Sequence, residues 1–261
     1  MKYRIELIFL LALLFSAFPA GLWAGEDIEP LVQSRLAKDR QTLDLSGLTL
    51  GPEGAKKLAA MEQLSQVTTL LLQDNKIKYQ GMKALAQSPH LSSLRHLDLW
   101  GNLIGDLGLK VLSESPYLKN LESLKIWKNE IGDEAFEIMG QSENFRNLKT
   151  LMLNDNLITP AGASALASAQ SLTKLETLNL FRNEIGEDGA VALAESRHFP
   201  NLQALYLGQN NITDAGAEAL MKSPYFPKLK VLDLVLNPLS PDVHIKAFKY
   251  NKEKGIQVII R

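Results

Sequence analysis

An asparagine recurs at positions 75, 102, 129, 156, 183, 210 and 237, always 27 residues after the one before. Each closes the same local pattern. Leu70-Leu71-Leu72-Gln73-Asp74-Asn75 aligns with Leu97-Asp98-Leu99-Trp100-Gly101-Asn102, and the alignment continues from Leu124, Leu151, Leu178, Leu205 and Leu232. One period upstream, Leu43-Asp44-Leu45-Ser46-Gly47-Leu48 fits, with Leu48 in the Asn place. A fixed period of this size means stacked supersecondary units sharing one continuous core, not a single globular core. The array has eight such units.

The physics of one unit can be read from its residues. Leu-x-Leu is a short strand of period 2 whose leucines face the core. The chain then turns, and a buried turn leaves backbone groups that need partners. A carboxamide donates and accepts at once, so stacked asparagines can satisfy successive turns. Two residues on stands an apolar plug: Ile77, Ile104, Ile131, Ile158, Ile185 and Ile212, with Leu50 and Leu239 at the ends. A helix follows, and Gly51, Gly105, Gly132, Thr159, Gly186, Thr213 and Ser240 occupy its expected N-cap. The next residue is Pro or acidic in most units, suited to the first helical position and to the helix dipole. Gly81, Gly108, Gly162, Gly189 and Gly216 recur inside the helix, with Ala135 once. A helical Gly costs roughly 1 kcal/mol against Ala, so its recurrence predicts a close approach of helix and turn. Leu85, Leu112, Met139, Leu166, Leu193 and Leu220 face inward from the helices.

The pattern Leu205-x-Leu207-x-x-Asn210-x-Ile212-x-x-x-Gly216-Ala217-x-x-Leu220 resembles the leucine-rich repeats of the ribonuclease-inhibitor type. The resemblance covers residues 42 to about 250. It implies an α/β solenoid, or horseshoe, with parallel strands on the concave face and α-helices on the convex face. It also implies that ligands dock on the concave face. It says little about which ligand, because such proteins bind unrelated partners. Residues 25–41 are charged and are expected to cap the first unit, and residues 251–261 to close the array with a last strand. Ile245 and Phe248 are expected to point inward beneath that cap.

Residues 1–24 differ from the rest. Lys2 and Arg4 precede an apolar run from Leu7 to Phe18, broken only by Ser16, and small residues lead to Ala24. That order matches a secretory signal cut after Ala24. The stretch from Leu7 to Ala24 is 18 residues with a Pro inside, short of the roughly 20 apolar residues a spanning helix wants. A membrane role is expected only if the segment stays uncleaved. The body is therefore expected outside the cytoplasm: periplasmic, secreted or associated with the cell envelope. Without the leader, 26 basic and 28 acidic residues remain. This balance gives no drive toward nucleic acid. The chain has no cysteine, which excludes disulfides, thiolate metal sites and a cysteine nucleophile.

Between the strand leucines, alternate residues point to the concave surface. The first column runs Asp44, Leu71, Asp98, Lys125, Met152, Asn179, Tyr206, Asp233. The second runs Ser46, Gln73, Trp100, Trp127, Asn154, Phe181, Gly208, Val235, and the third holds Lys128, Asp155 and Arg182 among others. Trp100 and Trp127 lie on neighbouring strands about 4.8 Å apart and should stack. Exposed aromatics beside cations resemble an interface hot spot. The candidate partner-binding residues are Trp100, Lys125, Trp127, Lys128, Met152, Phe181, Arg182 and Tyr206. The alternative is that the rings only cover the sheet.

Glu53, Lys56, Lys57 and Lys110 read as a solvated convex face. The four histidines are scattered, and the serines of Ser88-Pro89, Ser115-Pro116 and Ser223-Pro224 mark helix ends, not nucleophiles. Asn211-Ile212-Thr213 matches a glycosylation acceptor but falls inside the repeat consensus. There is no phosphate-cradling glycine loop, no pair of acids in a plausible pocket and no metal-ligand cluster. The expectation is a non-catalytic, monomeric scaffold without cofactor that binds a protein partner. The alternatives are glycan or cell-wall binding by the same rings, and regulation of another enzyme in the manner of GTPase activators.

Overall fold

The structure is a computed structural model and describes residues 27–260. The leader expected at residues 1–24 lies outside the described residues. A short helix, α1 (Glu29–Arg35), comes first. Strands β1 (Thr42–Asp44), β2 (Thr69–Leu71), β3 (His96–Asp98), β4 (Ser123–Lys125) and β5 (Thr150–Met152) follow at the repeat period. Then come β6 (Thr177–Asn179), β7 (Ala204–Tyr206), β8 (Val231–Asp233) and β9 (Gln257–Ile259). The helices between them are α2 (Gly51–Ala59), α3 (Lys78–Ala86), α4 (Gly105–Ser113) and α5 (Glu134–Gln141). The array continues through α6 (Pro160–Ala167), α7 (Gly186–Glu195), α8 (Asp214–Lys222) and α9 (Pro241–Lys254).

All nine strands join one parallel sheet in chain order, each paired in register with its neighbour, so Leu43 meets Leu70 and Leu70 meets Leu97. Strands stand about 4.8 Å apart, whereas packed helices need about 8–10 Å. The array therefore bends with the sheet inside, and the helices form the convex side. The strand leucines, the isoleucine plugs and the inward helix residues are buried as one core from Ile28 to Val258.

Three hydrogen-bond ladders stitch the repeats. Each Asn carboxamide serves the turn of the preceding repeat. Asn102 Oδ1 accepts from the backbone N–H groups of Asn75 and Ile77, both at 3.2 Å, and its Nδ2 donates to Leu72 O at 2.8 Å. The serines at the helix ends do likewise: the Ser88, Ser115, Ser196 and Ser223 hydroxyls each donate at 2.5 Å to a carbonyl 29 residues back. A third ladder runs forward. The acids expected only to complement the helix dipole also reach the next repeat. Asp106 Oδ1 accepts from Gly132 N–H at 2.9 Å, Asp133 from Thr159 N–H at 2.9 Å, and Asp214 from Ser240 N–H at 2.8 Å.

The expected N-caps at Thr159 and at three of the four glycines behave differently. Thr159 is an extended N-cap whose hydroxyl accepts from Ala161 N–H at 3.3 Å. Gly51, Gly105 and Gly186 are instead left-handed, at φ of +62°, +59° and +62°, and form the first residue of the helix. Gly is cheap in that conformation, so it serves the turn and not the cap. Unit two departs further, because Lys78 takes the left-handed place there.

At the N-terminal end, Ile28, just before α1, and Val32 within it are buried against the first unit. At the other end the expectation for Ile245 and Phe248 is overturned: they are 55% and 72% exposed. The helix α9 runs unbroken to Lys254 and buries Val243 and Ala247 instead. That face is turned about its axis from the one expected, which leaves Phe248 beside the groove between α9 and β9. The outer edge of β9 is blunted by Asn251, whose Oδ1 accepts from Val258 N–H at 2.9 Å and whose Nδ2 donates to Val258 O at 3.4 Å. An edge strand with its polar groups occupied is a poor template for a further strand.

An ion-pair bridge ties α9 to the array. Glu218 accepts from Lys222 Nζ at 2.5 Å and from Lys246 Nζ at 2.6 Å. The Lys222 and Lys246 ammonium groups hold its carboxyl down at about 2, against an ordinary 4.5. A depressed acid contributes stability that is complete above its unfolded value and is lost as pH falls through its folded value. The site is exposed, so the effect is local and screened by salt. Amide protection in α9, corrected for intrinsic exchange, is expected to fall as pH drops from about 4.5 toward about 2. Glu218→Gln should lose that dependence, and an unchanged profile in the variant would refute the assignment.

Candidate functional site

The site is built on the outward residues of β3 to β7 and the turns that follow them. Leu97, Leu124 and Leu151 are fully or almost fully buried, so the residues on either side of each are forced to the other face of the sheet. First-column side chains then shape the turn. Asp98 Oδ1 accepts from Trp100 N–H at 3.2 Å, and Asn179 Oδ1 accepts from Phe181 N–H at 2.9 Å. Such a bond from a short polar side chain to the backbone two residues on holds a turn locally. The same two residues therefore set where the Trp100 and Phe181 rings leave the backbone.

The Trp100 and Trp127 rings stack, with centroids 4.6 Å apart and planes 20° off parallel. Lys128 Nζ lies 5.9 Å from the Trp100 ring centroid. Trp100 Nε1 is buried and has no hydrogen-bond partner among the described residues. An unsatisfied buried donor costs about 1–3 kcal/mol, so stacking and not hydrogen bonding holds the pair.

Lys125 does not stand free beside the rings. Its Nζ lies 3.7 Å from Asp98 Oδ2, which also accepts from Gln73 Nε2 at 2.8 Å. Asp98, expected on the open surface, is only 4% exposed beneath these partners. Arg182 is likewise committed elsewhere: Nη1 donates to Asp155 Oδ1 at 3.0 Å and Nε to Gln209 Oε1 at 3.4 Å. Among the described residues, no ring contact of Arg182 accompanies these bonds. Met152 is half-buried between Lys125 and Asn179 in the strand register, and Tyr206 lies between Asn179 and Asp233.

Phe181 lies over bare backbone. A Cβ added to Gly208 would meet the ring carbons Cδ2 and Cε2 at 2.7 Å and Val235 Cγ1 at 2.8 Å. Gly208→Ala should therefore push the ring aside and cost about 1–3 kcal/mol by overpacking. Chemical unfolding would measure the loss, and a shifted Phe181 ring resonance would show its cause. A variant as stable as the parent, with that resonance unmoved, would show that the close approach is not needed.

The expected third column is not a flat continuation of the strand. Asp74, Lys128, Asp155, Arg182, Gln209 and Leu236 are all left-handed, with φ between +50° and +60°. All but Leu236 donate their N–H forward to the next repeat, as in Lys128 N–H to Asn154 O at 3.0 Å. The turn begins there, so these side chains form a rim. A concave column is also present one step upstream of the first. Thr42, Thr69, His96, Ser123, Thr150 and Thr177 lead their strands and are half-buried or exposed. The period-2 alternation, extended two residues back, is the signal that marks them.

The structure thus brings Trp100, Trp127, Lys128 and Lys125 together, the last through Asp98. It sets Phe181 on Gly208 and Arg182 on Asp155 as separate groups. Among the described residues, no group of three or more His, Asp or Glu side chains is placed to hold a metal. None of the described helices is long and apolar enough to cross a membrane.

Comparison with known proteins agrees with this architecture. Residues 65–86, 90–113, 146–167, 171–194 and 199–221 match the family described as Leucine Rich repeat. The chain is a leucine-rich-repeat protein. An internalin from Listeria monocytogenes has a similar fold, with TM-score 0.53 and 19% identity over 90% of this chain. The match spans only 64% of that internalin's length. A second internalin of the same bacterium gives TM-score 0.52 and 23% identity, over 76% of this chain and 73% of its own. At such identities the likeness is one of fold. No curated protein sequence matches the chain.

Proposed function

We propose that this chain is a non-catalytic, exported scaffold that takes a protein partner on its concave face between Trp100 and Tyr206. The observation that carries this is the Trp100–Trp127 stack on an uncovered sheet face. Within the strands, the leucines are buried while most of their outward neighbours stay partly accessible. A ring kept only to cover the sheet would do as well as Phe. Trp100 instead carries a buried indole N–H without an acceptor among the described residues, at a cost to stability. Large rings clustered near a surface's centre and flanked by cations are the usual anchors of protein interfaces. The fold supports the same reading, since stacked repeats offer an extended concave surface for binding.

Export rests on the order of basic, apolar and small residues within 1–24. In this reading residues 25–41 and 251–261 close the ends of an array spanning 42–250. Expression with the native leader, followed by fractionation and N-terminal sequencing, should place the protein outside the cytoplasm with Gly25 first. For binding, the parent and the Trp100→Ala, Trp127→Ala double variant would be immobilised and exposed to extract from the native compartment. The parent should retain a protein that the double variant loses by about 30-fold or more, as for removal of a hot spot worth 2 kcal/mol or more. Equal retention by both would exclude this surface.

A further inference from the structure

The concave face has a gap at Asn154. Trp127 is stacked toward Trp100 on one side. Phe181, two repeats further on, lies over Gly208, on the side away from Asn154. With strands about 4.8 Å apart, the two aromatic side chains leave the backbone about 10 Å from one another. A group in contact with both walls needs about 3.5–4 Å on each side, so the gap admits one ring or one branched apolar side chain. Its floor is Asn154 with Met152 beside it, both half-buried. Asn154 Nδ2 donates to Asp155 Oδ2 at 3.2 Å, and its carboxamide oxygen takes no hydrogen bond among the described residues.

The charge around this gap is one-sided. The two nearby acids are already engaged, Asp98 with Gln73 and Lys125, and Asp155 with Arg182. Lys128 is exposed and makes no ion pair among the described residues, only its approach to the Trp100 ring. Lys125 holds its acid at 3.7 Å with its side chain 44% exposed, so its ammonium can accept a second anion. A neutral sugar would need unengaged acids and amides and open ring faces. Here the acids are spent, and the charge left over is that of the lysines.

Resting on the concave-face reading above, we infer that the partner is an acidic protein segment. It sets an aromatic or branched apolar side chain into the gap over Asn154, between Trp127 and Phe181, and places flanking carboxylates against Lys128 and Lys125. Opposite charges at a rim raise the encounter rate and reject basic competitors. Met152 on the floor adapts to the inserted side chain.

A random twelve-residue peptide display library would be selected in parallel on the full chain, on Lys128→Glu, and on the Trp100→Ala, Trp127→Ala variant. Lys128 is exposed, so its reversal should leave the unfolding curve unchanged. The parent should enrich peptides with Asp or Glu within a few residues of an aromatic or branched apolar residue. Their affinity for Lys128→Glu should fall about tenfold or more, a change of about 1.4 kcal/mol. Binding should weaken as salt rises. If peptides are lost on the double Trp variant but show no acidic bias, the surface stands and this inference falls. If they are kept on the double Trp variant, the surface itself is wrong. Recovery of no peptides, or of basic ones, would also overturn the inference. So would oligogalacturonate binding the parent in place of peptides, which would assign the cations to an acidic glycan.

Discussion

Asn129→Leu should cost roughly 4–6 kcal/mol, a large share of the 5–15 kcal/mol that holds a typical native protein together. Leu has the branched shape of Asn without its polar atoms, so it removes the hydrogen bonds and also sets larger methyl groups against their former partners. Asn129 Oδ1 accepts from Asn102 N–H at 3.0 Å and Ile104 N–H at 3.3 Å. Its Nδ2 donates to Leu99 O at 2.9 Å and Trp127 O at 3.0 Å. Asn129 is fully buried, so water cannot replace these bonds. Asn237→Leu should cost clearly less, because Asn237 is partly exposed at the end of the array and water can reach its partners. Urea unfolding of the two variants measures both. A loss below about 1 kcal/mol for Asn129→Leu would show that the turns satisfy themselves in another way.

Gly81→Val is expected to destabilise by about 3 kcal/mol or more, although almost any residue suits a helix interior better than Gly. The new Cβ would lie 2.6 Å from Ile77 Cγ2, 2.9 Å from Ala55 Cβ and 3.2 Å from the Pro52 Cα. Two of these belong to the preceding repeat, so relief requires the stack to open at that joint. Gly189 meets the equivalent trio, Ile185, Ala163 and Pro160. Ala135 shows where the rule relaxes. Its helix begins at Glu134, two residues later in the repeat than α4 or α7, and the side chain is accommodated there. Gly81→Ala, compared with Gly81→Val, separates helix propensity from contact. If both variants stabilise, the close approach carries no constraint, and thermal unfolding would show it.

The concave rings illustrate how far residue order reaches. Trp100 and Trp127 fall in one column because the period is 27 and the strands pair without slip, so their stacking follows from arithmetic. The partners of Lys125 and Arg182 do not. Both are long side chains with acids one repeat away, and a count of columns does not say which cation reaches a ring and which reaches a carboxylate. Lys128 reached the ring, and the other two reached Asp98 and Asp155. Ile245 and Phe248 face outward for a related reason. Among the described residues no helix follows α9 to select its inward face, so the apolar residues do not settle which stripe is buried.

Leu48 draws the line most clearly. By residue order it is a missing Asn at the first unit, a plain irregularity. In the structure each Asn serves the turn of the repeat before it, as Asn75 serves Leu48 N–H, Leu50 N–H and Leu45 O. The first unit has no repeat before it, so a Leu there leaves nothing unsatisfied. Residue order alone determined the period, the inward leucines and the need for a ladder. These follow from local periodicity and the cost of burying an unpaired peptide group. Tertiary structure decided the direction of that ladder, the left-handed rim at Lys128 and Arg182, and the gap over Asn154. Those depend on contacts between residues about 27 positions apart, where several partners were chemically possible and only the packing selects one.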